Sequence, residues 1–277
     1  MIRTDLAVEV HNRIRGKREE IHGVSVEAYD EAEGLVVTTV CIETENAAKE
    51  MGRPKGCYVT IDFSEYQKKN EECEKVIAET LSSIIREWIP MQSRKDGFTI
   101  GKQGEADVSV LVAGLGNAKE IIDALGPRVV ERIPKSRHIM KDFGKYGYGS
   151  KEISRISGIA PGVQDATGME AQEILKGIIR ETEPDVLITI DALVGRSGKR
   201  IGKTIQLTNA GVVPGSGVGS HRKAISKETM GIPVITIGVP LVIDASHGYF
   251  LVPKEISTMV EQLSNVIAGG IEMAFYE

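Results

Sequence analysis

Val110–Val130 reads VLVAGLGNAKEIIDALGPRVV, and this stretch decides the fold. Val108–Ala113 is apolar apart from Ser109 and shows no sustained alternation, as expected of a strand covered on both faces. Glycines follow at Gly114 and Gly116, then the amide Asn117, then the carboxylate Asp123 just ahead of Gly126-Pro127. A second carboxylate, Asp191, ends another apolar run in DVLITIDALVGR. The two aspartates are expected to meet in space and carry the chemistry.

Working outward, Leu35–Ile42 and Cys57–Phe63 are rich in β-branched residues and read as strands of an antiparallel or mixed edge. Lys49–Gly56, with two glycines and a proline, reads as a loop between them. Ser64–Trp88 is the clearest helix. Ser64 with Gln67 makes a capping box, and Val76, Ile77, Leu81, Ile84, Ile85 and Trp88 recur at helical spacing before Pro90. The single tryptophan, Trp88, reads as core or interface. Ala166–Arg180 is an amphipathic helix, Val186–Ile190 a strand, Val234–Val239 a strand ended by Pro240, and Pro253–Ala274 a closing helix. Residues 1–20 are mixed and charged and read as an arm outside the core, with Arg3-Thr4-Asp5 either an N-cap signal or a loose end. Buried strands alternating with helices predict an α/β fold: a three-layer sandwich around a mainly parallel or mixed sheet, in one domain over 1–277. Ligands of such sheets sit beyond the carboxyl ends of the strands, where Gly114–Asn117, Asp191 and Pro240–Asp244 fall.

Bulk properties narrow the function. The chain has 277 residues, 26% of them charged, with a formal net charge of −5. A protein that coats nucleic acid needs a basic face, so direct nucleic-acid binding is not expected. No apolar run approaches the length of a membrane span, and the N-terminus has no apolar signal core, so the reading is a cytoplasmic chain away from membranes. Cys41, Cys57 and Cys73 are odd in number and lack CxxC spacing, so they are read as reduced thiols.

The glycine loops are tested against known chemistries. Gly114-Leu115-Gly116 lacks the third glycine of a dinucleotide fingerprint, since position 119 is Lys119. Pro214–Gly219, PGSGVG, lacks the Gly-Lys-Ser/Thr end of a phosphate loop, and Ser216 lacks the preceding glycine of a nucleophile elbow. Gly215, Ser216 and Gly217 then read either as a plain surface crossing or, with Gly114, Gly116 and Asn117, as walls of a substrate cleft.

Aspartate at an element end is commonly a cap, so residue types alone leave Asp123 and Asp191 open between capping and chemistry. As chemistry, two neighbouring carboxylates share a proton and offer a general acid beside a general base. Metal chemistry is the rival: His138 and His221 lie near loops and could join Asp123, although no HxH or HExxH occurs. Asp165 is a third candidate carboxylate or a helix cap. Arg196 and Lys203 are candidate cations for an oxyanion or plain surface charges.

Taken together, IRTDLAVE at 2–9, GLGN with DALGP at 114–127, APGVQDATGMEAQEILKGII at 160–179, PDVLITIDALVGRS at 184–197 and TIQLTNAGVVPGSGVGSHRKAISKETMGIPVITIGVPLVIDA at 204–245 resemble the germination proteases of spore-forming bacteria. The resemblance implies an aspartic-type endopeptidase, without metal or cofactor, that degrades small acid-soluble spore proteins. It places the catalytic aspartates on Asp123 and Asp191. It implies a zymogen cleaving its own N-terminal propeptide, here Met1–Asp5 with Asp5–Leu6 the scissile bond. It further implies a homotetramer in the cytoplasm of the forespore or the spore core, and a fold similar to hydrogenase maturation proteases. Three departures stand out: the expected propeptide is only Met1–Asp5, the stretch between Asp244 and Pro253 is short where the family carries a long insertion, and Gln164-Asp165 adds a charge near the expected cleft. A non-enzymatic relative of the same fold and a metal-dependent maturation protease are the alternatives.

Overall fold

The computed structural model describes residues 4–16, 21–66, 70–89, 108–143, 154–215, 222–245 and 249–276. In chain order the elements are α1 (Ala7–Arg15), β1 (Val24–Ala32), β2 (Leu35–Ile42), α2 (Glu45–Met51), β3 (Gly56–Asp62) and α3 (Asn70–Trp88). Then come β4 (Ser109–Gly114), a 3-10 turn (Ile121–Asp123), α4 (Leu125–Arg132), α5 (Arg137–Phe143), β5 (Arg155–Ile159), α6 (Gln164–Thr167) and α7 (Ala171–Thr182). β6 (Val186–Gly195), β7 (Thr204–Thr208), α8 (Lys227–Met230), β8 (Val234–Asp244), β9 (Phe250–Leu251) and α9 (Ile256–Phe275) complete it.

All these strands join one mixed sheet in the order β1-β2-β3-β7-β8-β6-β4-β5, with β9 added to β8. The β5-β4-β6-β8 half is parallel, and the remaining pairings are antiparallel. Helices cover both faces, which is the expected three-layer α/β sandwich.

The two faces are filled differently. Even positions of β4 and β6 (Val110, Val112, Ile188, Ile190) join Ile235, Ile237, Leu81, Ile85, Leu125 and Ile267 in the larger core, under α3, α4 and α9. The opposite face holds two smaller clusters. Leu6, Ala7, Val8, Val10, Val40, Tyr58 and Leu193 gather at α1 and α2. Leu111, Ala113, Leu175, Leu187, Ile225 and Val234 gather at α7 and α8.

Several expectations are corrected. The N-terminal arm is not outside the core: Leu6 and Ala7 are fully buried and Val8 and Val10 nearly so. Leu6, Val10 and Ile14 make a helical stripe, and the acidic residues Asp5 and Glu9 find backbone partners, so the charge there does not keep the segment in solvent. The cysteines are not all thiols. Cys41 and Cys57 stand directly opposite each other on β2 and β3 and form a disulfide, while Cys73 is free. Chain spacing carries no trace of that pairing, because it is a product of strand register. The 49–56 loop is shorter than read, since Thr44 caps α2 through the Ala47 N–H at 3.1 Å and the helix runs to Met51.

The expected capping box needs Gln67, which is not among the described residues; Ser64 and Glu65 lie in a turn, Ser64 N–H donates to Asp62 Oδ1 at 3.0 Å, and α3 is described from Asn70. Gln67 and Pro90 lie outside the described residues. Trp88 is partly buried against the larger core. The Ala166–Arg180 helix is two helices, broken at Gly168. Pro240 does not end its strand. β8 runs on to Asp244, with the register against β6 shifting beside Pro240, where a missing N–H is tolerated. The closing helix starts later than Pro253, at Ile256.

Candidate active site

β4 ends at Gly114, and the chain turns at once: Leu115 N–H donates to Ile190 O at 2.8 Å, tying the turn to β6. A Cβ on Gly114 would lie 2.1 Å from Gly126 O, and one on Gly126 would lie 2.6 Å from Ile190 O. A Cβ on Gly116, whose φ is 106°, would lie 2.1 Å from Asp123 O. Only glycine permits this stacking, which lays the DALGP segment across the ends of β4 and β6. That is the structural content of the motif quoted first.

Asp123 is thereby held at the sheet edge. Its Oδ2 accepts from Asn117 N–H at 2.8 Å. It does not cap α4, whose N-terminal flank is Ala124 with no side-chain cap. Asp191 does not end its strand as read. It sits inside β6, one residue beyond the last pairing with β4, and β6 continues beside β8 to Gly195. Its side chain is buried, and Oδ1 accepts from Ala192 N–H at 3.1 Å. β4 has ended here, so Asp191 has no β4 residue paired beside it.

Asp191 senses the charge of Asp123. Burial pushes the Asp191 carboxyl well above the usual carboxylate range, and the negative charges of Asp123 and Asp5 push the same way against the Ala192 N–H and Arg222. Burial also raises Asp123, opposed by the Asn117 N–H and Arg222. Each carboxylate accepts one backbone N–H, so burial decides between them: the more deeply buried Asp191 is the better proton holder and Asp123 the better ionised base. Arg222 is the cation both feel. Sequence reasoning weighed Arg196 and Lys203 and missed Arg222, although it ends the PGSGVGSHR stretch of the sequence.

The N-terminal segment lies against this site. Asp5 N–H donates to Val194 O at 2.7 Å, and Val194 N–H donates back to Asp5 Oδ2 at 2.9 Å. Arg53 stands 3.5 Å from the Asp5 carboxylate and donates to Thr4 O. The Glu9 carboxylate accepts from the N–H groups of Arg196 and Ser197 at 2.8 and 3.1 Å. Asp5 is 8% exposed and Leu6 0%. Gly114, Gly116, Asn117, Asp123, Asp191 and Asp5 are thus brought to one edge. His138, Asp165, Arg196 and Lys203 are exposed, and the charged neighbours of the pair are Asp5, Glu120 and Arg222 instead. Gly215 ends the described part of its loop. Ser216, Gly217 and His221 lie outside the described residues. Among the described residues no group of three His, Cys, Asp or Glu side chains gathers as a metal-holding set, and no described helix is long and apolar enough to cross a membrane.

The sequence model of the germination protease family matches residues 2–248. A germination protease of Caldanaerobacter subterraneus subsp. tengcongensis is 43% identical over 244 residues, covering 88% of this chain and 70% of the relative. Germination proteases of Bacillus mycoides and Bacillus thuringiensis subsp. konkukian are each 41% identical over 88% of this chain and 64% of their own length. The chain belongs to the germination protease family, a family of peptidases. It spans about two thirds of the length of these relatives. Among solved structures, a [NiFe] hydrogenase maturation protease, HycI, from Thermococcus kodakarensis KOD1 aligns over 60% of this chain and 92% of its own, at 24% identity and a TM-score of 0.36.

Proposed function

We propose that this chain is an endopeptidase that hydrolyses small acid-soluble spore proteins during germination, using Asp123 and Asp191 to activate water without a metal. What supports the reading is the placing of Asp123 and buried Asp191 where β4 ends beside its parallel neighbour β6, close enough for the Asp123 charge to act on Asp191, with backbone of the chain itself, at Asp5, bonded to β6 alongside. Ionised Asp123 takes a proton from water as the water oxygen attacks the peptide carbonyl carbon. The carbonyl oxygen becomes an oxyanion. Asp191 gives its proton to the leaving nitrogen, and the C–N bond breaks to give an acid and an amine. The proton taken by Asp123 returns the pair to its starting state by exchange with solvent.

The same reading makes Asp5–Leu6 the bond of self-cleavage, and the working form a homotetramer in the spore core. The test is a spore-protein peptide incubated with pure protein and followed by mass spectrometry. Asp123→Asn and Asp191→Asn are expected to abolish time-dependent cleavage. A variant cutting at the native rate removes that aspartate from the mechanism, and activity lost to a chelator and restored by added metal overturns the metal-free assignment.

A further inference from the structure

One row of residues runs across the sheet on the α1 side. Register places Thr38 opposite Thr60, Thr60 opposite Gln206, Gln206 opposite Gly238, and Gly238 opposite Asp191. Partners in register share a face, so Gln206 and Asp191 point the same way, with Gly238 between them and the Leu193 side chain lying over that glycine. The buried row is polar, and Gln206 is 5% exposed. The hydroxyls of Thr60, directly opposite, and Thr204, two positions earlier on the same face of β7, are buried with no partner among the described residues. Buried polar groups left this way are costly and call for another explanation than packing.

Gln206 itself is fully used, and by one peptide segment. Its Nε2 donates to Asp5 O at 3.2 Å, and its Oε1 accepts from Ala7 N–H at 2.8 Å. The two contacts bracket the Asp5–Leu6 peptide bond, whose carbonyl is the one held by Nε2. On the other side Asp5 is bonded to Val194 of β6, three residues past Asp191. A neutral amide N–H aimed at a carbonyl oxygen stabilises negative charge developing there without giving up its proton.

We propose that Gln206 is the carbonyl-binding donor of the peptidase site: its Nε2–H holds and polarises the carbonyl of the bond to be cut, and its Oε1 clamps the amide two residues further on. An incoming substrate takes the place that Thr4–Ala7 occupies here, with Thr60 and Thr204 as the floor beneath it. This rests on the aspartate reading above, and the experiment separates the two. Full-length Gln206→Met, Gln206→Glu and Asp191→Asn are compared with the native chain on the spore-protein peptide, each first verified as folded by thermal melting.

Gln206→Met is expected to lose kcat by about 10²–10³-fold, with KM changed far less. Gln206→Glu keeps the acceptor but, once ionised, has no donor. Its kcat relative to native is expected to recover as the pH falls and the carboxyl gains a proton, which a purely structural role would not produce. Native kcat in folded Gln206→Met, or a loss confined to KM, overturns the proposal. Loss of kcat in Gln206→Met beside an unimpaired Asp191→Asn sinks the aspartate mechanism and leaves Gln206 standing. Hydrogen exchange at the Ala7 amide needs no turnover: it is expected to quicken in Gln206→Met, and an unchanged rate overturns the clamp.

Discussion

The α3/α4/α9 face of the sheet and the α1/α7 face bury the same strands with different side chains. On the first, Val110, Val112, Ile188, Ile190, Ile235 and Ile237 are aliphatic without exception. Each such side chain contributes roughly 1.5–3 kcal/mol when fully buried. On the second, the corresponding strands present Thr189, Asp191, Gln206, Thr208, Thr236 and Thr60, all 6% exposed or less. Thr189 and Thr236 answer each other with a hydrogen bond of 2.8 Å, but Thr60 and Thr204 have no such partner among the described residues. Equal burial therefore means different things on the two faces. Both faces carry apolar clusters that stabilise the fold. The second gives part of its burial over to polar groups, Gln206 among them beneath the N-terminal segment, and the carboxylates stand at its edge.

The contrast is open to attack by mutation. The largest expected effect is on turnover: Asp191→Asn on the polar face should lower kcat by about 10²–10⁴-fold while the protein stays folded. Ile188→Ala, three residues away but facing the other side, should do the reverse. It should cost about 2–5 kcal/mol in denaturant unfolding and leave kcat of the folded fraction near native. If Ile188→Ala proved silent in stability, the division of labour between the faces would collapse.

Third is the pH dependence of stability. Asp191 binds its proton more tightly folded than unfolded, where the ordinary value is 3.8. Above that pH the folded chain therefore holds the extra proton, and stability falls as pH rises through the window up to the folded value. Asp191→Asn removes this loss. It should raise the melting midpoint near neutral pH by roughly 2–4 °C, the shift expected for about 1 kcal/mol, and leave it unchanged below pH 3.8. A lowered midpoint at neutral pH would contradict the assignment. The smallest effect is expected of Thr60→Val, which deletes an unpartnered hydroxyl at constant shape. Chemical denaturation should find it neutral or more stable by about 1 kcal/mol, and a clear loss would reveal a partner for that hydroxyl.

Much of this was legible because it is local. The β-branched run of β2, the stripe of α3 and the unbroken apolar run of β4 matched their elements, since periodicity and burial coincide there. β1 was missed because it is exposed along nearly all its length, so no hydrophobic pattern marks it. The glycines of GLGN and DALGP were visible, but their purpose was not: Gly114 and Gly126 exist for each other, and two residues twelve apart reveal that only once stacked. The arm misled because Asp5 and Glu9 look like surface charge, while both face backbone N–H groups of β6 and the turn after it. Arg222 and the Cys41–Cys57 pair are likewise products of topology.

The segment Thr4–Ala7 is joined by covalent bonds to the carboxylates it lies against. Its local concentration is set by that tether, of millimolar order for a short flexible link, and not by the amount of protein in solution. Dilution therefore does not dislodge it. On the proposal that substrate takes the place of Thr4–Ala7, a free polypeptide meets a competitor that travels with every molecule, and its apparent affinity is scaled by the fraction of molecules in which the segment has swung away. With Leu6 and Ala7 fully buried, that fraction is governed by a unimolecular opening. The onset of activity should accordingly run on a clock of its own, with a lag that is the same at nanomolar and micromolar protein.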